Sequence, residues 1–267
     1  MAALGFVTIH GMGETPIDYA DDFVDEVKKK MGTKHAEKVE CGSIFYQDIL
    51  QENEERYYKA VKRRVSWSKL RKFVLYGFAD AASLETQKRG NNSPYFIVQT
   101  RILNTLKKVF NSLDDPTAPL VIVAQSLGGQ VTSNYLWDAS RDHTPEFGVW
   151  SKPQEFSSQA EEDFCRGKTL IRFYTTGCNI PIFVAGHTKI VPIPKPNDIF
   201  QWHNFYDADD VLGWPLKPLS LEYKELVRDR KINSGGVLSF TPLSHKYYWR
   251  DNDFVKPLVK DLKNLTK

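Results

Sequence analysis

Residues 118–137 read Ala-Pro-Leu-Val-Ile-Val-Ala-Gln-Ser-Leu-Gly-Gly-Gln-Val-Thr-Ser-Asn-Tyr-Leu-Trp, and this stretch decides the fold. The apolar, β-branched run from Leu120 to Val123 is typical of a strand that is buried on both faces. From Gln130 onward the side chains repeat at helical spacing, and no Gly or Pro interrupts them. The sequence therefore predicts a strand that turns directly into a helix.

The turn between this strand and this helix is Ala124-Gln-Ser-Leu-Gly128. Such a sharp turn strains the backbone at its tip, and it closes only if the residues two before and two after the tip are very small. Ala124 and Gly128 meet that requirement. Ser126, at the tip, is expected to expose its hydroxyl at the helix N-terminus, where N–H groups and the helix dipole favour developing negative charge. Ser126 is the predicted nucleophile, and an ordinary strand-to-helix turn is the alternative.

The composition of the chain favours one large domain. The 267 residues are 41% hydrophobic, which is enough for a substantial core, and no Pro/Ser/Gly-rich linker divides them. We predict a single α/β domain over residues 1–267, with a helical insertion or cap at 47–95 and a surface excursion at 140–167. The net charge of +3 comes from 36 basic and 33 acidic residues, a balance too even to indicate a nucleic-acid partner.

The cysteines and the N-terminus indicate a reducing location. Cys41, Cys165 and Cys178 are an odd number without metal-ligand spacing, which favours neither a disulfide framework nor a metal site. Cys178 as a nucleophile is disfavoured, because a lone cysteine is more typical of a small buried residue. The first residues contain neither a basic region nor a long apolar segment, so we expect no signal peptide, no transmembrane helix and a cytoplasmic protein.

A glycine-rich loop, His10-Gly-Met-Gly-Glu-Thr-Pro16, follows the first predicted strand at 5–9. Its glycines allow the backbone to approach a bound substrate closely. Acyl transfer requires two N–H donors aimed at the oxyanion, one from the residue after the nucleophile and one from a loop of this kind. Leu127 is the first donor by position, and Met12 is our candidate for the second. A plain glycine-rich turn is the alternative, and a phosphate loop is disfavoured because no Gly-Lys-Ser/Thr follows.

Three carboxylates follow the strand predicted at 199–206. A histidine base requires an acid that fixes its tautomer and stabilises its charged form. Asp210 is the preferred acid, because it directly precedes an apolar pair that can anchor its loop. Asp207, which can cap the turn, is the second candidate, and Asp209 is expected to point away.

His245 follows the last predicted strand region, at 232–240, and precedes a terminal helix at 252–265. Two interpretations of His245 are open. It could pack among its aromatic neighbours, or it could act as the general base. The chain order of serine, acid and histidine favours the functional role. The other predicted elements are strands at 39–46 and 170–175 and helices at 19–31, 48–64, 96–113 and 221–229.

Together these motifs resemble the α/β-hydrolase superfamily, and within it the lipase/esterase-like serine hydrolases. The motifs are His10-Gly-Met-Gly13, Ala124-Gln-Ser-Leu-Gly128, Asp207-Ala-Asp-Asp-Val211 and Ser244-His-Lys-Tyr-Tyr-Trp249. The resemblance implies an α/β-hydrolase fold with an eight-strand-like, mostly parallel sheet and helices on both faces. It also implies a triad of Ser126, Asp210 and His245. The oxyanion hole would come from Met12 and Leu127.

Two residues depart from the usual pattern of these hydrolases. Ala124 replaces the usual first glycine of the turn and is still small, whereas Gln125 stands where a histidine is frequent, which could alter the hydrogen bonds under the turn.

The expected activity is cleavage of a small carboxylic ester through an acyl-enzyme, with no metal and no cofactor. The alternatives are a lipase-like enzyme with residues 65–78 as an interfacial lid, a thioesterase or amidase, and a non-catalytic binding protein. Membrane contact is the less favoured interpretation of the basic helix faces, and the sequence predicts no oligomeric state.

Overall fold

A parallel β-sheet forms the centre of the protein. The computed structural model describes residues 2–49, 51–64, 66–86, 88–234, 245 and 247–267. The strands are β1 (Leu4–Ile9), β2 (Val39–Ile44), β3 (Leu120–Gln125), β4 (Leu170–Thr176), β5 (Gln201–Asp207) and β6 (Val227–Ile232). They lie side by side in the order β2-β1-β3-β4-β5-β6, and every neighbouring pair is parallel. The carboxyl ends of all these strands therefore lie along one edge, which is where open α/β sheets bind ligands.

Helices connect the strands. They are α1 (Asp21–Met31), α2 (Thr33–Ala36), α3 (Gln51–Val61), α4 (Ser68–Thr86), α5 (Pro94–Asn111), α6 (Leu127–Ala139), α7 (Gln159–Cys165), α8 (Ile180–Val184), α9 (Leu221–Leu226) and α10 (Asn252–Leu265). α5 begins two residues earlier than its apolar period predicts, because the Ser93 hydroxyl accepts a hydrogen bond from the Phe96 N–H and Pro94 occupies the first turn. Within the described ranges, no helix is both long enough and apolar enough to cross a bilayer.

The core has two parts, one on each face of the sheet. Alternate residues of β1 point to opposite faces: Leu4 and Phe6 pack with α1 and α10, whereas Val7 and Ile9 pack with α5 and α6. The strand is buried on both sides, which explains its nearly continuous apolar run. The predicted α/β class, with a mostly parallel sheet and helices on both faces, is confirmed.

The C-terminal end of the sheet differs from the prediction. Residues 221–229 were expected to form one helix, but α9 ends at Leu226 and β6 begins at Val227, which pairs with Trp202 of β5. Among the described strands, β6 lies at the edge of the sheet. The four residues between Val227 and Ile232 are charged, so β6 lacks the apolar alternation that marks a strand. Of the strand region predicted at 232–240, residues 235–240 lie outside the described part. The described residues form a six-stranded sheet rather than the eight strands that the resemblance implies.

The segments between strands contribute more to the core than the sequence suggests. The predicted surface excursion at 140–167 contains α7 and buries Trp150 and Phe164. α3 and α4 lie in the predicted insertion, and Tyr76 and Leu84 of α4 are buried. Both segments therefore contain packed side chains as well as polar surface.

Candidate active site

The turn from β3 into α6 holds Ser126 in a strained backbone conformation. Ser126 has φ +52° and ψ −123°, a combination that costs a non-glycine residue about 1–3 kcal/mol. A Cβ on Gly128 would lie 2.4 Å from the His10 carbonyl oxygen, so the end of β1 requires a glycine there. A Cβ on Gly11 would lie 2.5 Å from the Ser126 Cβ. The sequence predicts an exposed hydroxyl, but the backbone at Gly11 covers Ser126, which is only 1% exposed.

His10 is a neutral anchor for the loop after β1. Its Nδ1 donates to the Gly11 carbonyl at 2.7 Å, and its Nε2 accepts the Tyr46 N–H at 3.0 Å. The ring also stacks on Tyr46, with centroids 4.1 Å apart. Burial lowers the pKa of His10 to about 4, although its bond to Gly11 opposes that shift. The neutral imidazole therefore fixes the start of the loop that contains Met12.

Met12 and Gly13 contact the inserted helix α4. A Cβ on Gly77 would lie 2.3 Å from the Met12 Sδ, so α4 packs directly against this side chain. The Gly13 N–H donates to the Asp80 Oδ2 at 3.4 Å, and Gly13 has φ +90°. Leu127 begins α6, so its N–H belongs to a helical turn that has no intrahelical acceptor. That Met12 and Leu127 act as oxyanion donors stays a prediction.

The histidine and one carboxylate meet at the carboxyl end of the sheet. The His245 Nδ1 and the Asp210 Oδ2 are 2.8 Å apart, and both residues are buried. The same Oδ2 accepts the Tyr248 hydroxyl at 2.9 Å, and Oδ1 accepts the Leu212 N–H at 3.0 Å. Burial raises the pKa of Asp210, but the bond to His245 and its charge, together with these two donors, outweigh burial and hold the pKa below its usual value. The carboxylate is therefore ionised at neutral pH.

The other two carboxylates of the loop have different environments. Asp207 is buried and accepts the Asp209 N–H at 3.0 Å and the Ser234 N–H at 2.6 Å. This is the turn-capping arrangement that the sequence suggests for Asp207. Asp209 is exposed. Of the two candidate acids, the structure brings Asp210 to the histidine.

Two contacts from neighbouring strand ends hold His245. The Gln125 Nε2 donates to the His245 carbonyl oxygen at 2.7 Å. Gly177 has φ +53°, and a Cβ there would lie 3.0 Å from the His245 Cε1. The ends of β3 and β4 therefore determine where the imidazole lies.

Ser126 and His245 line the same cleft, which has a volume of about 670 Å³. Its walls include the loop at 11–16 and the aromatic residues Tyr19, Phe23, Tyr247 and Trp249. The Ser126 Oγ and the His245 Nε2 are both buried, and neither has a hydrogen-bond partner among the described residues. An unpartnered hydroxyl and an unpartnered imidazole nitrogen in one cleft are the groups that proton transfer to a nucleophile requires.

Cys178, the disfavoured nucleophile, lies behind the turn. Its Sγ would be 2.8 Å from a Cβ on Gly129, and the residue is fully buried. Burial raises the pKa of the Cys178 thiol to about 12. A thiol of this kind is a packing group rather than a reactive one.

Four residues outside the predicted site also contact it: His10, Asp80, Gln125 and Tyr248. Gln125 and His10 lie inside two of the motifs quoted above, and this position in a motif is the one sequence signal that could have indicated that they contact the site. Tyr248 lies three residues after His245, and its bond to Asp210 has no signature in the sequence. Asp80 is 67 residues from Gly13 in the chain, and only the placement of α4 brings the two together.

Comparisons with solved structures found proteins of similar structure. No family model matches the chain, and no curated protein matches it. The chain is similar to the crystal structure of a dienelactone hydrolase from Anabaena variabilis, with 12% identity and a TM-score of 0.40 over 99% of this chain and 85% of that one. A likeness at this level is too weak to assign an activity.

Proposed function

We propose that this protein is a serine hydrolase that cleaves carboxylic esters. The observation that carries the proposal is the 2.8 Å contact between His245 and Asp210 at the cleft that Ser126 lines. Ser126 is the nucleophile, His245 the general base and Asp210 the acid that orients it. A strained serine, an imidazole with a free nitrogen and an ionised carboxylate are the components of this chemistry.

In the proposed mechanism, the Ser126 oxygen attacks the ester carbonyl while the His245 Nε2 accepts the hydroxyl proton. Ionised Asp210 keeps the Nδ1 proton in place and stabilises the imidazolium. The Met12 and Leu127 amides donate to the oxyanion. His245 then gives its proton to the leaving alcohol, and water activated by the same imidazole releases the acid from the acyl-enzyme.

The cleft favours a small ester with an apolar part. Its volume of about 670 Å³ lies in the ordinary range for small-molecule sites. Phe23 and Trp249, stacked at 4.6 Å, offer an aromatic wall. A thioester or an amide would meet the same catalytic groups, so the bond cleaved is a separate question for experiment.

A fluorophosphonate probe tests the proposal directly. The wild type and a Ser133→Ala control should be labelled, because Ser133 lies on α6 away from the turn. Ser126→Ala should not be labelled. A wild type that resists the probe, or a Ser126→Ala variant that reacts with it, would contradict the proposal. A p-nitrophenyl ester series of graded chain length, compared with a matched thioester and amide, then identifies the acyl group and the bond.

A lipase-like enzyme is the second candidate, because exposed apolar side chains lie on and beside α4. Trp67, Val74 and Phe78 are 77%, 45% and 60% exposed. Basic residues at 62–64 and Arg71 are also exposed nearby. Aromatic and basic groups together suit an anionic lipid surface. Activity that rises sharply once the substrate aggregates would support this candidate, and a flat response would exclude it.

A cytoplasmic location is also part of the proposal. Its support is that Cys41, Cys165 and Cys178 are unpaired, which suits a reducing compartment. Cell fractionation tests it: recovery with secreted proteins would contradict this location.

A further inference from the structure

Two acidic side chains are buried between the inserted helices. Glu54 of α3 is 8% exposed and Asp80 of α4 is fully buried. In the described part of the chain, no ion pair joins either carboxyl group to a cation. Burying two unpaired negative charges together is strongly unfavourable, so such a pair retains a proton.

Burial raises the pKa of both carboxyl groups. Burial raises the pKa of Glu54, and the charge of Asp80 and a hydrogen bond with it raise it further. Burial also raises the pKa of Asp80, and the hydrogen bond that Asp80 accepts from the Gly13 N–H opposes that rise. At neutral pH the two carboxyl groups therefore hold one proton between them.

Other polar groups near the pair come from several elements. The Gln47 amide lies near Asp80 in the turn after β2, and burial raises the pKa of the Tyr46 phenol, to which the nearby Asp80 charge adds. The Tyr76 phenol, on α4, has its pKa raised by burial and by nearby carboxylates that include Glu54. The nearby ammonium group of Lys72 pairs instead with Glu14 at the cleft. These surroundings offer hydrogen bonds rather than a neutralising charge.

The pair contacts the loop that contains the predicted oxyanion donor. Asp80 accepts the Gly13 N–H at 3.4 Å, and this N–H belongs to the peptide unit that follows Met12. One turn earlier on α4, Gly77 packs against the Met12 side chain. Two points of α4 therefore hold the Met12–Gly13 peptide unit in place.

We propose that Glu54 and Asp80 are positioning residues for ester hydrolysis: they share one proton, and the resulting singly charged pair holds the Gly13 N–H so that the Met12 amide faces the oxyanion. This inference rests on the proposed function. Removal of the shared proton places two like charges in a buried site, which repel each other and separate the helices that support the loop. The extra negative charge also disfavours an oxyanion nearby.

Glu54→Gln tests the shared proton. The glutamine amide donates to Asp80 as protonated Glu54 does, but it does not titrate. At neutral pH this variant should retain kcat within about 3-fold of the wild type, since it keeps the hydrogen bond. In alkaline solution the wild type should lose activity, and Glu54→Gln should retain it. The matched control is Glu55→Gln, an exposed neighbour paired with Lys59, which should follow the wild type at every pH.

Asp80→Asn and Asp80→Leu test the contact with Gly13. Asparagine can still accept the Gly13 N–H, so kcat should fall only a few-fold, whereas leucine should lower kcat by about 10-fold or more with KM nearly unchanged. Equal losses in the two variants, or a Glu54→Gln pH profile identical to that of the wild type, would overturn the proposal. If Asp80→Leu does not fold, the pH profile of Glu54→Gln still tests the proposal.

A readout independent of catalysis separates this inference from the proposed function. The infrared carbonyl band of a protonated carboxyl group should be present at neutral pH in the wild type and in Glu55→Gln, and absent in Glu54→Gln. If the wild type hydrolyses no ester but shows this band, the proposed function fails while the shared proton stands. If it hydrolyses esters and the band is missing, the positioning proposal fails while the proposed function stands.

Discussion

The Gln125 side chain donates a 2.7 Å hydrogen bond to the carbonyl oxygen of His245, 120 residues further along the chain. Gln125 directly precedes Ser126, so this one bond joins the nucleophile turn to the loop that contains the proposed base. Because the acceptor is a backbone oxygen, the bond fixes the chain at His245 and leaves its imidazole free to contact Asp210.

Gln125→Ala should lower kcat by about 10-fold, because the loss of this partly buried hydrogen bond costs about 1.4 kcal/mol and frees the loop that contains His245. Gln125→Glu should be worse, since an ionised carboxylate would face the His245 carbonyl. Steady-state kinetics on a p-nitrophenyl ester measure kcat for the wild type and for both variants. A glutamate variant as active as the wild type would show that this bond does not position the base.

Gly128→Ala should reduce kcat by at least about 10²-fold. The new methyl group would lie 2.4 Å from a backbone oxygen, that of His10, so either the turn or the loop containing Met12 must move. Gly186→Ala is the matched control, because a Cβ there meets nothing within 4 Å. Kinetics together with the melting temperature separate a displaced site from an unfolded chain. Full activity in Gly128→Ala would contradict the geometry of the turn.

Tyr248→Phe should raise the pKa of Asp210 and lower kcat by about 10-fold. The substitution removes the hydroxyl that donates to the Asp210 Oδ2 at 2.9 Å, and this donor is one of the groups that hold the pKa down. Carbon-13 NMR titration of labelled aspartate carboxyls measures the shift, with exposed Tyr57→Phe as the control. An unchanged Asp210 titration would rule out the hydroxyl as a stabilising donor.

The free energy of unfolding should fall as the pH is lowered from 6.5 to 4. Burial lowers the pKa of His10 and of His203 from the usual 6.5 of histidine to about 4, and nearby arginine charges contribute at His203. The unfolded chain binds these protons first, so the stabilisation is complete above pH 6.5 and is lost as the pH approaches 4. His10 alone contributes on the order of 3 kcal/mol.

Denaturant titrations across this pH range provide the measurement. His10→Asn should weaken the pH dependence, because the variant lacks the buried His10 imidazole and retains only the contribution of His203. His187→Asn, at an exposed loop position, should leave it unchanged. A wild type whose stability does not change between pH 6.5 and 4 would show that His10 is not held neutral by burial.

Features of the chain that depend on local chemistry were readable from the sequence. The strand at 120–125 follows from its β-branched run, and the strained turn follows from the small residues on either side of Ser126. The α/β class follows from strands that alternate with helices. These features are readable because backbone sterics and apolar periodicity act within a few residues. By contrast, β6 could not be predicted, because its four central residues are charged and its two apolar residues, Val227 and Ile232, pack on opposite faces of the sheet.

The tertiary structure decided which side chains meet. The sequence favoured Asp210 over Asp207 as the acid, but only the structure shows the 2.8 Å contact of Asp210 with His245 and the bonds from the Tyr248 hydroxyl and the Leu212 N–H that hold the carboxylate. The bond between Gln125 and His245 and the contact of Asp80 with Gly13 likewise join distant segments. The periodicity of apolar residues indicates whether a side chain is buried. Which side chain it contacts depends on how whole strands and helices pack, and no single stretch of the sequence contains that information.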